Sequence, residues 1–120
     1  ETALPRDLPL HFASLSARVG SISDNRLGGW YAYRAAKAAQ NQLLRTLALE
    51  WRRRLPFACV TALHPGTTAT GLSEPFRGSV PPSGLFSPER AADQLLEVLA
   101  PRSAEQSGAF VAWDGQPIPW

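Results

Sequence analysis

The chain has 120 residues, 44% of them hydrophobic and 18% charged, a composition that holds one small globular domain at most. Its longest strongly apolar stretch, residues 57–63, falls far short of the about 20 residues a membrane-crossing helix needs, and no basic-then-apolar leader opens it, so neither a membrane partner nor a signal peptide is expected. A single cysteine, Cys59, excludes an internal disulfide framework and a zinc site built from cysteines, and makes the reducing cytoplasm the expected compartment.

The net charge of +2 does not make a nucleic-acid surface. The basic residues are scattered, and the one dense run, Arg52-Arg53-Arg54, falls where cations complement the negative end of a helix. Eleven of the twelve basic residues are arginine and one, Lys37, is lysine. Lysine titrates where arginine does not, so the amine itself is a candidate for chemistry at that position. The chain contains no methionine and opens on Glu1, from which a piece of a longer protein is expected.

Residues 1–9 carry two prolines and no periodicity, and are expected to be irregular. Residues 10–16 (LHFASLS) read as a strand, followed by a loop over 18–29 that holds three glycines. Residues 30–53 lack Gly and Pro and place Ala36, Leu43, Leu44, Leu47 and Trp51 on one side of a long helix that Pro56 ends. Residues 57–63 (FACVTAL), bounded by Pro56 and Pro65, predict a strand buried on both faces of a parallel sheet. A long loop, 64–82, allows a short helix near 73–76. Ser87-Pro88-Glu89 then starts a second helix that runs to Leu99 and stops before Pro101. Residues 108–113 (GAFVAW) form the last strand. The order β-α-β-α-β predicts an α/β fold with a parallel, doubly wound sheet, in a single unit over 1–120.

Tyr33 and Lys37 stand four apart near the start of the long helix, so both side chains share one face. A phenol beside an ammonium is an acid/base pair: the cation favours the phenolate, and the phenol can pass a proton to a carbonyl oxygen or take one from an alcohol. Alone, such a pair is more often an aromatic packed beside a surface lysine. The neighbours change that weighting. Ser16-Ala17-Arg18-Val19-Gly20-Ser21 closes the first strand, and Pro65-Gly66-Thr67-Thr68-Ala69-Thr70 follows the buried one. In a parallel sheet both strand ends lie at the ligand-binding edge.

A serine-bearing strand end, then Tyr-x-x-x-Lys on a helix, then Pro-Gly-x-x-x-Thr, resembles the short-chain dehydrogenase/reductase family. The stretch GSISDNRLGGWYAYRAAK (20–37) and the closing Asp114-Gly115 and Pro119-Trp120 are closest to its C-factor and sniffer-like branch. The resemblance runs from about Leu10 onward and implies the C-terminal half of a Rossmann-like fold. It implies an NAD- or NADP-dependent oxidoreductase acting on a carbonyl or alcohol. Tyr33 would be the catalytic acid/base, and Lys37 would support it and bond the nicotinamide ribose. Pro65, Gly66, Thr68 and Thr70 would face the cofactor, residues 71–82 would cover the substrate, and the long helix would join subunits of a homo-oligomer.

Two departures stand out. The family's catalytic serine position holds Ala17, which leaves Ser16 and Ser21 as equal candidates for the missing hydroxyl. No Gly-x-Gly-x-x-Gly run is present, so the pyrophosphate cradle has no counterpart, and the chain by itself is expected to be inactive and to bind no nicotinamide. A second class remains open, a non-catalytic interaction or signalling protein on the same scaffold, which Ala17 favours. His11 and His64 lack metal-ligand spacing, although His64 at a strand end could line the site; Cys59 and the four tryptophans read as packing residues. In the doubly wound order the strand over 10–16 needs a further neighbour, so this edge and the long helix are the expected contact surfaces.

Overall fold

The computed structural model describes residues 3–120. Residues 3–9 are irregular, as expected, while Glu1 and Thr2 lie outside the described residues. Strand β1 (Leu10–Leu15), helix α1 (Tyr31–Arg54) and strand β2 (Ala58–His64) follow in order. Next come two short strands, β3 (Thr67–Thr68) and β4 (Leu85–Phe86), then helix α2 (Pro88–Leu99) and strand β5 (Ala109–Ala112). The sheet runs β1-β2-β5 and is parallel throughout, with Leu10 opposite Ala58 and Thr61 opposite Ala109. This is the α/β arrangement expected from the element order, and β1, α1, β2, α2 and β5 each fall within a residue or two of their expected bounds.

β2 is central because its sequence suits burial on both sides. Ala58, Val60 and Ala62 belong to one core cluster, and Cys59, Thr61 and Leu63, on the alternate face, are buried as well. The cluster is closed by α1, which contributes Leu44, Ala48 and Trp51, and by Leu55, Phe110, Ala112 and Ile118. Spacings of four, three and four place Leu44, Ala48, Trp51 and Leu55 on one stripe. Leu43, expected on that stripe, is 71% exposed, because it lies about 80° or more around the helix from each of those residues. Asn41, one turn before the first of them, takes a buried place.

Both helices start as their residues dictate. α2 is capped by the Ser87 hydroxyl, which accepts from the Arg90 N–H at 3.2 Å, with Pro88 at the first helical position. α1 has no side-chain cap; the chain enters it through Gly28, Gly29 and Trp30, all with positive φ. The loop after β2 is more ordered than expected. β3 and β4 pair in parallel, and turns of 3-10 helix span Glu74–Ser79 and Pro82–Gly84. Two-residue strands carry no periodicity, which is why the sequence did not announce them. β1 is an edge of the sheet, with four of its six residues exposed.

Candidate active-site cleft

At the C-terminal ends of β1 and β2 opens a cleft of about 820 Å³. Ser16 and Ala17 line it beyond β1, Tyr33 and Lys37 from the first turns of α1, and His64 to Thr68 beyond β2. Arg18, Asp24, Arg26 and Leu27 add a wall from the loop before α1, and Leu72, Val80 and Leu95 add apolar surface. Tyr33, Lys37, Pro65, Gly66, Thr68 and Thr70, expected together from the sequence, therefore all border one space.

Lys37 Nζ sits 5.8 Å from the centre of the Tyr33 ring. It donates to the Leu15 carbonyl at 3.1 Å and to Gln40 Oε1 at 3.0 Å. Gln40 is anchored in turn, donating through Nε2 to Ser14 Oγ at 2.8 Å and to the Leu15 carbonyl at 3.0 Å. An ammonium has three N–H donors, so one is left to face the cleft. Close approach of backbone to this helix face requires Gly20: a Cβ there would stand 2.8 Å from Lys37 Cβ and 2.9 Å from its carbonyl carbon.

Arg34, beside Tyr33, holds the turn into α1. Its Nε donates to the Gly29 carbonyl at 2.9 Å and its Nη2 to the Gly28 carbonyl at 3.0 Å. Gln40, Arg34 and Asn41 carry no motif, and sequence reasoning passed over all three. Asn41 left one trace, a polar residue one turn from Lys37 on the buried side of a helix.

The two candidate serines part company. Ser16 borders the cleft, but its hydroxyl donates to Asn41 Oδ1 at 2.5 Å. Ser21 is buried outside the cleft lining, where its hydroxyl donates to the Pro119 carbonyl and accepts from the Asp24 N–H at 3.1 Å. A hydroxyl has one proton to give. In both serines that proton is committed within the chain.

Beyond β2, Gly66 has φ +75°, and a Cβ would come within 2.6 Å of the Phe86 ring, which itself packs edge-on against Trp113. Thr68 Oγ1 is buried without a hydrogen-bond partner, and so is Asn41 Nδ2. Thr70 contributes main chain: its carbonyl accepts from Arg77 Nη2 at 2.5 Å. His64, at the end of β2, accepts the Arg18 backbone N–H at Nδ1 (3.2 Å). Burial first, and the Arg18 guanidinium second, lower its pKa to about 4, against weaker opposing pulls from Asp114 and Asp24. His64 is therefore neutral at pH 7. Among the described residues no group of His, Cys, Asp and Glu side chains could hold a metal ion, and no helix is long and apolar enough to cross a membrane.

The chain is 36% identical over 108 residues to 1-hydroxy-2-glutathionyl-2-methyl-3-butene dehydrogenase from a Rhodococcus strain, covering 88% of this chain and 45% of that protein. It is 34% identical over 109 residues to C-signal of Myxococcus xanthus, covering 90% of this chain and 60% of the relative. Among solved structures, the carbonyl reductase Sniffer of D. melanogaster superposes with a TM-score of 0.78 at 28% identity, over 94% of this chain and 44% of Sniffer. Over most of its length the chain is homologous to part of short-chain dehydrogenase/reductases. NADPH-bound carbonyl reductase from chicken fatty liver matches the chain with a TM-score of 0.77 at 30% identity, over 92% of this chain and 42% of that enzyme. A Burkholderia multivorans short-chain dehydrogenase/reductase with bound NADP matches at 0.71 and 26% identity, over 97% of this chain and 46% of that one. No family model matches the sequence. This dehydrogenase-like chain thus spans about half the length of the curated relatives it matches.

Proposed function

We propose that the chain is the proton-transferring part of an NAD(P)-dependent oxidoreductase acting on a carbonyl or alcohol. The observation that carries this reading is the placement of Tyr33 and Lys37 one turn apart in a cleft also bordered by the Pro65–Gly66–Thr68 strand end. The Tyr33 phenol gives its proton to a carbonyl oxygen during reduction and recovers it during oxidation. Lys37, held by Gln40 and the Leu15 carbonyl, stands beside the phenol with one donor left for a ribose hydroxyl.

The residues beyond β2 suit the nicotinamide end of such a cofactor. Thr68 Oγ1 lacks a partner, and Gly66 and Thr68 border the same cleft as the acid/base pair. When bound, the nicotinamide accepts or gives the hydride. Thr70 lies at the same edge, and Leu27, Trp30, Leu72 and Leu95 add apolar surface to the cleft. NADP is the form named for two of the matched structures and is our choice over NAD. Cys59, a buried free thiol, suits a cytoplasmic protein. This chain alone holds no Gly-rich pyrophosphate cradle, so turnover belongs to a longer protein.

A second reading, a non-catalytic signalling or interaction protein, draws on a specific feature. Ala17 replaces a hydroxyl, and neither Ser16 nor Ser21 has a proton free to polarise a substrate oxygen. Mixing the full-length protein with NADPH and a panel of aldehydes and ketones separates the two. Absorbance falling with time for at least one carbonyl supports the oxidoreductase; a flat trace across the panel, with NADPH bound, supports the signalling protein.

A further inference from the structure

The segment closing the chain folds back onto the loop that walls the cleft. Ile118 is buried in the core cluster and its N–H donates to the Phe110 carbonyl at 2.9 Å. Trp120 stacks on Phe110, with ring centres 5.3 Å apart and planes 26° from parallel. These anchors present two main-chain oxygens to the loop. The Pro119 carbonyl accepts the Ser21 hydroxyl, and the Trp120 main-chain oxygen accepts the Ser23 N–H at 3.0 Å. Ser21 Oγ then accepts the Asp24 N–H at 3.1 Å, and the Asp24 carboxylate lies 3.7 Å from the Arg18 guanidinium.

Every residue from 22 to 30 is exposed, so the loop has little packing of its own to hold it. It contains Gly28 and Gly29, whose freedom raises the cost of fixing it. Yet Asp24, Arg26 and Leu27 in this loop border the cleft. Ser21, buried at 1% exposure, ties the start of the loop to the body of the molecule, as Arg34 ties its end.

We propose that residues 118–120 form a latch that fixes the cleft wall carrying Asp24, Arg26 and Leu27, with Ser21 and Trp120 as positioning residues. Stacking of Trp120 on Phe110 sets the Pro119 and Trp120 oxygens, and these set Ser21, Ser23 and Asp24. The latch assigns Ser21 a role distinct from contact with substrate. Its effect on substrate binding rests on the oxidoreductase reading, whereas its effect on the loop does not.

The test compares the full-length protein with Ser21→Ala, Trp120→Ala and Trp120→Phe. Hydrogen exchange at the Ser23 and Asp24 amides is expected to speed up about fivefold in both alanine variants, the population change that follows loss of one net hydrogen bond. Exchange in β2 should stay unchanged, and the double variant should add nothing to either single one, because the two residues act as one unit. Trp120→Phe keeps a stacking ring and should match the parent in both readouts. With NADPH and an accepted carbonyl, both alanine variants should raise KM with kcat kept within about twofold, the pattern of lost binding without lost chemistry. Unchanged exchange at Ser23 and Asp24 in Trp120→Ala, or a Trp120→Phe variant as loose as Trp120→Ala, overturns the latch. So does a Ser21→Ala variant that loses kcat while Trp120→Ala is silent, since that result puts the Ser21 hydroxyl on the substrate. If no carbonyl is turned over, the oxidoreductase reading fails and the exchange data alone decide the latch.

Discussion

His64 shows how one buried side chain ties the site to pH. Burial opposes the imidazolium and the Arg18 guanidinium adds to that, so the folded pKa is about 4 against 6.5 for the ordinary group, and the neutral ring keeps an Nδ1 lone pair to accept the Arg18 N–H. Between those values the unfolded chain binds more protons than the folded one. Stability from neutral His64 is therefore complete above pH 6.5 and drains away as pH falls towards 4, a loss on the order of 2–3 kcal/mol at about 1.4 kcal/mol per unit. Denaturant titrations of the full-length protein at pH 7 and pH 4.5 should show this loss in the parent and a smaller one in His64→Gln, whose amide oxygen still accepts. Equal acid losses in the two proteins would contradict it. The histidine was legible only as a strand-end residue near the site. Nothing in the sequence announced its donor, because Arg18 lies 46 positions away.

At the scale of elements, legibility followed the strength of the local pattern. β2 was plain from an apolar run between two prolines, and α2 from Ser87-Pro88-Glu89 at its start. The Tyr33–Lys37 pair was plain because one helical turn fixes its geometry. Ser21's tie to Pro119 was invisible, as the partners are 98 residues apart and loop geometry alone brings them together. The edge strand carries its own consequence. Among the described residues β1 pairs with no strand but β2, and Phe12 and Leu15 are 41% and 56% exposed. α1 adds Leu43 and Leu49 on its exposed surface. An unpaired apolar edge is a template for further pairing. The purified 120-residue chain is therefore expected to associate, through β1, α1 or both. Light scattering at tens of micromolar should show an oligomer; a compact monomer would mean that β1 is a tolerated edge.

At the scale of the molecule, a three-stranded sheet with two helices is a thin body. Its radius of gyration is 15.1 Å, with extents of 46 × 28 × 23 Å, where a compact chain of this length would have about 14 Å. A body of this shape can present an acid/base pair and the strand end beside it. In this fold a dinucleotide spreads across two halves of the sheet. On the proposed reading turnover therefore needs a longer protein, to which this chain would supply proton transfer and part of the cleft wall. Tyr33→Phe in the full-length protein tests that assignment most directly, because it removes one oxygen and leaves the ring. NADPH titration should give unchanged binding, while kcat with an accepted carbonyl falls by about 100-fold or more, the loss expected when a positioned general acid is deleted. Near-normal turnover in Tyr33→Phe would contradict the central role given to this residue.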